Sequence, residues 1–66
     1  MNLIVNGEKT NIATCASVGD LIVSCNLLPE ATAVQRNDEI VPRAAYDKTL
    51  LEEGDVIELV RFVGGG

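Results

Sequence analysis

Short apolar runs, separated by turn chemistry, set the rhythm of this chain. Leu3-Ile4-Val5 runs directly into Asn6-Gly7. That dipeptide is the strongest short-range hairpin signal, because both residues tolerate the positive φ of a tight type I′ turn. A return strand is therefore predicted from Glu8 to Ala13, with Lys9 and Asn11 facing one way and Thr10 and Ile12 the other. Ala13 to Ala16 then leads off the sheet. At Ser17 the period changes from strand to helix: Val18, Leu21, Ile22 and Cys25 share one helical face, and Leu28 continues it. Ser17 is a candidate N-cap, and Asp20 three residues on forms a capping box with Asp in place of Glu. Pro29 is predicted to end this helix, since a proline disfavours helical geometry at the residue before it.

Beyond the helix, Ala31 to Asn37 predicts a third strand with Val34 inward and Ala33 and Gln35 outward. Arg36, where an apolar residue would extend the inner face, reads as solvated at the strand end. Asn37-Asp38 is a second turn, Ile40-Val41 a short strand that Pro42 stops, and Arg43 to Asp47 a turn or short helical piece. Tyr46, within that piece, reads as a packing residue with a satisfied hydroxyl. Thr49-Leu50-Leu51 leads into Glu52-Glu53-Gly54-Asp55, which reverses the chain into a final strand, Val56 to Phe62. Alternation in that strand sends Ile57 and Leu59 to the core and Glu58, Val60 and Phe62 to the other face. No second layer is available to cover Val60 and Phe62. Phe62, the only phenylalanine, is a candidate anchor for a partner, with folding back onto the sheet edge as the competing reading.

Hairpin, helix, strand, short strand and final strand describe an α+β domain, one helix packed across a small mixed sheet. The residue pattern leaves open how the first and last strands pair. Residues 1–63 form the expected domain, and 64–66 a flexible glycine tail. Three glycines cannot pack a core and lose the most backbone entropy on ordering. Extended, they reach about 10 Å beyond the strand. A thread that narrow, ending in a carboxylate, can enter a channel closed to larger side chains; a frayed end is the bland alternative.

Charge and composition narrow the function. Ten acidic residues against five basic give a net charge of −5, the wrong sign for nucleic-acid phosphates. The acids gather late, at Asp47, Glu52, Glu53, Asp55 and Glu58, and read equally as a solvated face or as steering toward a basic partner. The chain has no histidine, so a nucleophile activated by an imidazole is excluded, and no catalytic residue is assigned. Cys15 and Cys25 are too few for an iron–sulfur cluster and wrongly spaced for zinc. Cys25 is expected as a small core residue and Cys15 near a strand end. No apolar run approaches the ~20 residues of a membrane span, and the start lacks a basic signal-peptide region. A cytoplasmic protein, monomeric when free, with no nucleic-acid, membrane or metal ligand, is the expectation.

Asn6-Gly7, Ser17-Val18-Gly19-Asp20-Leu21-Ile22, Asn37-Asp38-Glu39-Ile40-Val41-Pro42-Arg43, Gly54-Asp55-Val56-Ile57-Glu58-Leu59-Val60 and Phe62-Val63-Gly64-Gly65-Gly66 together resemble the ThiS family, the sulfur carriers of thiamine biosynthesis. The resemblance covers essentially the whole chain. It implies a ubiquitin-like β-grasp with the first and last strands side by side at the sheet centre. It also implies that a ThiF-like adenylating enzyme, using ATP and magnesium, activates the Gly66 carboxylate. A persulfide donor then supplies sulfur, and the resulting thiocarboxylate serves a ThiG-like thiazole synthase. Gly64 and Gly65 match the segment that threads into both partners, and Phe62 the apolar position before it. On this reading the chain is a substrate rather than an enzyme and binds no cofactor itself. Cys15 and Cys25 fall outside the family pattern. Two rivals share the fold: the small subunit of molybdopterin synthase, usually longer and more often ending in two glycines, and a ubiquitin-like binding module or protein modifier.

Overall fold

The hairpin forms where the Asn-Gly dipeptide places it. β1 (Asn2–Val5) and β2 (Glu8–Asn11) pair antiparallel, with Leu3 opposite Thr10 and Val5 opposite Glu8. Asn6 and Gly7 take φ values of 49° and 82°, as a type I′ turn demands. β2 is shorter than the predicted Glu8 to Ala13, although Ile12 still exchanges two 2.9 Å hydrogen bonds with Met1. This is a computed structural model that describes residues 1–62. Gly64, Gly65 and Gly66, and with them the boundary between domain and tail, lie outside the described residues.

α1 (Val18–Ser24) starts as its capping box requires. Asp20 N–H donates to Ser17 Oγ at 3.1 Å, and Ser17 N–H donates to Asp20 Oδ2 at 2.9 Å. Its end corrects the sequence reading. The helix stops at Ser24, well before Pro29, because Asn26 adopts φ 61°. Leu27 N–H then reaches Ile22 O at 3.1 Å and Asn26 N–H reaches Val23 O at 3.0 Å, the paired bonds of a Schellman cap. As a result Leu27 packs against the core, whereas Leu28 is exposed. Cys25, expected in the core, is also exposed, since it is the capping residue and no longer lies on the buried stripe. Pro29 instead opens a short 3₁₀ turn, Pro29–Ala31.

β3 (Thr32–Arg36) and β4 (Glu39–Val41) form a second antiparallel hairpin about Asn37 and Asp38, with φ 49° and 71°. A 3₁₀ turn at Arg43–Ala45 brings in Tyr46, which is buried and donates its hydroxyl to the Thr32 carbonyl at 2.6 Å. β5 (Val56–Arg61) closes the sheet in the order β2-β1-β5-β3-β4. It runs parallel to β1 and antiparallel to β3, so the first and last strands are neighbours at the centre. α1 contributes Val18, Leu21 and Ile22 to a core shared with Leu3, Val5, Val34, Val41, Tyr46, Leu51, Ile57 and Leu59. The result is the mixed β-grasp that the resemblance implied.

Candidate functional site

The site is built on β5, the strand that leads to the C-terminus. Ile57 and Leu59 are buried on the helix side, as alternation requires. On the opposite face Val60 is 58% exposed and Phe62 56%, so folding back onto the sheet edge does not bury the aromatic ring. Val56 shares that face, with half-buried Ile4 opposite it on β1; half-buried Ala33 lies opposite Val60 on β3. Ile40, also exposed, is paired with Gln35 on the outer strands. Interrupted by exposed Glu58, apolar positions thus line the outer face of the central strand, with Val60 and Phe62 beyond the break. The parity of the sequence pattern correctly placed both Val60 and Phe62 on that face. Gly64, Gly65 and Gly66 cannot be placed, being outside the described residues.

Two side-chain arrangements that the sequence reading missed hold β5 in place. At its start, the Asp55 carboxylate is buried, its side chain 8% exposed. It accepts from Arg36 Nε at 2.9 Å, Asn37 Nδ2 at 3.0 Å and the Glu52 backbone N–H at 2.8 Å. Burial alone would raise the Asp55 pKa; these donors, the Glu52 N–H foremost, outweigh it and bring the pKa below the ordinary aspartate value. Arg36 therefore sits at the strand end as expected but is not simply solvated: it pairs with Asp55, and with Glu52 at 3.5 Å. The late acidic run is likewise no uniform solvated face. Asp55 and Glu52 are committed to Arg36, and Glu53 accepts the Asn2 N–H at 3.0 Å. Asp47 and Glu58 remain exposed.

Further along β5, Asn6 reaches across from the first hairpin. Leu59 N–H donates to Asn6 Oδ1 at 2.7 Å, and Asn6 Nδ2 donates to Leu59 O at 3.2 Å. The sequence pattern marks Asn6 only as a turn former. No local signal reveals the second role, because its partner lies 53 positions away.

What this arrangement can do chemically is limited and therefore informative. Among the described residues no group of three or more His, Cys, Asp or Glu side chains could hold a metal ion. The main surface concavities are lined by residues such as Met1, Cys15, Leu50, Lys9 and Glu53, and include neither Val60 nor Phe62. The end of β5 thus presents exposed apolar side chains, Val60 and Phe62, outside both of these concavities.

Known proteins of the same kind carry the comparison further. The ThiS family model matches residues 3–66. A thiazole synthase from Paramagnetospirillum magneticum is 38% identical over all 66 residues, and the chain spans only 20% of that protein's length. The sulfur carrier protein ThiS of Bacillus subtilis is 42% identical over 50 residues, 76% of each chain. The crystal structure of the thiamine biosynthesis protein ThiS from Geobacter metallireducens superposes with a TM-score of 0.83 at 35% identity, covering 100% of both chains. A family match running from Leu3 to Gly66, on a shared β-grasp, leaves one assignment: the chain belongs to the ThiS family.

Proposed function

We propose that this chain is a sulfur carrier of thiamine biosynthesis whose working group is the Gly66 carboxylate. The observation that carries the reading is the family match, which extends to Gly66 and so takes in the glycine run beyond β5. An ionised α-carboxylate, with a pKa of about 3.5, is a poor acyl donor because its oxygen is a poor leaving group. A ThiF-like enzyme with ATP and magnesium converts it to an acyl-adenylate, releasing pyrophosphate. The terminal sulfur of a persulfide donor then attacks the acyl carbon and AMP leaves. A thiol reduces the resulting S–S bond, forming a disulfide with the donor and leaving the thiocarboxylate. The described residues contribute no acid, base or metal to these steps. The domain binds through the Val60 and Phe62 face, while Gly64 and Gly65, lacking side chains, pass into the partner's channel. A ThiG-like thiazole synthase receives the sulfur; the occurrence of a similar segment within thiazole synthase chains supports that pairing.

The test is intact-mass analysis after incubation with a ThiF-like enzyme, ATP, magnesium and a persulfide donor. One terminal oxygen exchanged for sulfur is the expected product, and deletion of Gly66 abolishes it with the fold intact. Normal sulfur acquisition by the deletion variant overturns the assignment. Acyl-adenylate formation only with the adenylating enzyme of molybdopterin synthesis would reassign the pathway.

A further inference from the structure

β1 is too short to support β5 along its length. Its backbone pairing with β5 covers Ile4 opposite Val56 and Val5 opposite Ile57, and ends with Asn6 N–H donating to Ile57 O at 2.9 Å. The chain then turns away into β2 at Asn6-Gly7. β5 continues to Arg61, with β3 still pairing on its other side as far as Thr32 opposite Arg61. On the β1 side, Leu59 therefore needs a donor and an acceptor that no backbone supplies.

Asn6 supplies both from one carboxamide, the only neutral side chain of that length that can. Its oxygen accepts the Leu59 N–H and its nitrogen donates to the Leu59 carbonyl, closing a ring like the two-bond exchange of an antiparallel pair. A carboxylate here would face the Leu59 oxygen with a second acceptor, and an aliphatic residue would leave both backbone groups unpaired. Among the described residues this is the last hydrogen bond holding β5 from the β1 side. Val60 follows immediately and Phe62 two residues later.

We propose that Asn6 is a positioning residue for sulfur acceptance: its carboxamide replaces a missing rung of β1 and fixes the course of β5 beyond Leu59, aligning the Val60 and Phe62 face for docking to the partner. The inference rests on the carrier reading given above. A loosened β5 end must be ordered when the complex forms, so the loss appears in docking rather than in the chemistry of the bound acyl group.

Asn37 provides an internal control. It has the same φ of 49° in the equivalent turn, and its side chain bonds the start of β5, accepting Val56 N–H at 2.9 Å. Glycine tolerates that φ at both positions, so Asn6→Gly and Asn37→Gly each keep the turn and lose the side-chain bonds. Both variants are assayed well below their melting temperatures by amide hydrogen exchange and by sulfur acceptance with a ThiF-like enzyme. For Asn6→Gly, exchange at Leu59 accelerates beyond the global change, and KM for the carrier rises about tenfold, the scale of one to two hydrogen bonds, with kcat within about twofold. Asn37→Gly leaves KM and the relative protection of Leu59 as in the wild type. Unchanged KM in Asn6→Gly, or an equal rise in Asn37→Gly, overturns the proposal. Failure of the wild-type protein itself to acquire sulfur overturns the carrier reading and this proposal with it, so the two failures are distinguishable.

Discussion

The two ends of β5 are held in different ways, and on the function proposed above the difference separates what keeps the fold from what would serve a partner. At the start, Asp55 gathers Arg36, Asn37 and the Glu52 N–H, while Asn37 N–H donates to Val56 O at 2.8 Å and Ile4 N–H to Asp55 O at 2.9 Å. Two side chains from the end of β3 and its turn, and one backbone N–H from the turn before β5, converge there on one buried carboxylate. At the far end the β3 side remains paired, Phe62 N–H donating to Ala31 O at 2.8 Å, but support from the β1 side ends at Asn6. Outward-facing apolar residues then take the place of a polar network. Rigidity is concentrated where the strand enters the sheet, and recognisable surface where it leaves.

The largest expected effect therefore lies at the entry. Asp55→Ala strips three donors of their acceptor and leaves the half-buried Arg36 guanidinium without its closest carboxylate. Removing one partner from such a network costs about 3 kcal/mol, a large share of the stability of a domain this small. Urea unfolding should show a lower midpoint with an unchanged slope. A loss under about 1 kcal/mol would mean that the entry is no firmer than the exit. The pH dependence follows from the same carboxylate. Its folded pKa lies below the unfolded value, so the stabilisation is complete above the unfolded pKa of ~3.9 and disappears as pH falls through the folded value. Wild-type stability should thus fall more steeply than that of Asp55→Asn as pH drops below about 4, the two being compared by melting temperature. Parallel curves would remove the network from the account.

How far this division could be read from the sequence depends on how local each signal is. The Asn6-Gly7 turn, the Ser17 and Asp20 capping box and the alternation of Ile57, Leu59, Val60 and Phe62 were all legible, because each is decided within a few residues. The end of α1 was misread because a proline is a conspicuous stop, whereas Asn26 in a left-handed conformation is a quiet one that acts three residues earlier; Cys25 and Leu28 went with it. Arg36 with Asp55, and Asn6 with Leu59, are contacts across 19 and 53 positions. Composition treated these residues as surface charge and turn former because their partners become neighbours only once the sheet forms. The β3 and β5 pairing brings Arg36 to Asp55, and the β1 and β5 pairing brings Asn6 to Leu59; the latter pairing came from family resemblance, not from periodicity. Of the candidate site, Val60 and Phe62 were placed by parity alone.

The smallest stability effect is expected at the exit, where it tests the other half of the comparison. Phe62 is 56% exposed and its N–H bond to Ala31 belongs to the backbone, so Phe62→Ala removes little that the folded chain uses. Surface substitutions of this kind stay within about 0.5 kcal/mol, and urea unfolding should barely distinguish the variant. An exposed aromatic at the centre of a docking surface can nevertheless carry more than 1 kcal/mol of binding energy, so affinity for a ThiF-like enzyme, measured by calorimetry, should fall about tenfold. The two measurements must diverge for the division along β5 to hold. A variant that loses stability but binds normally would make Phe62 part of the fold's own packing, and the exposed apolar face would then end at Val60.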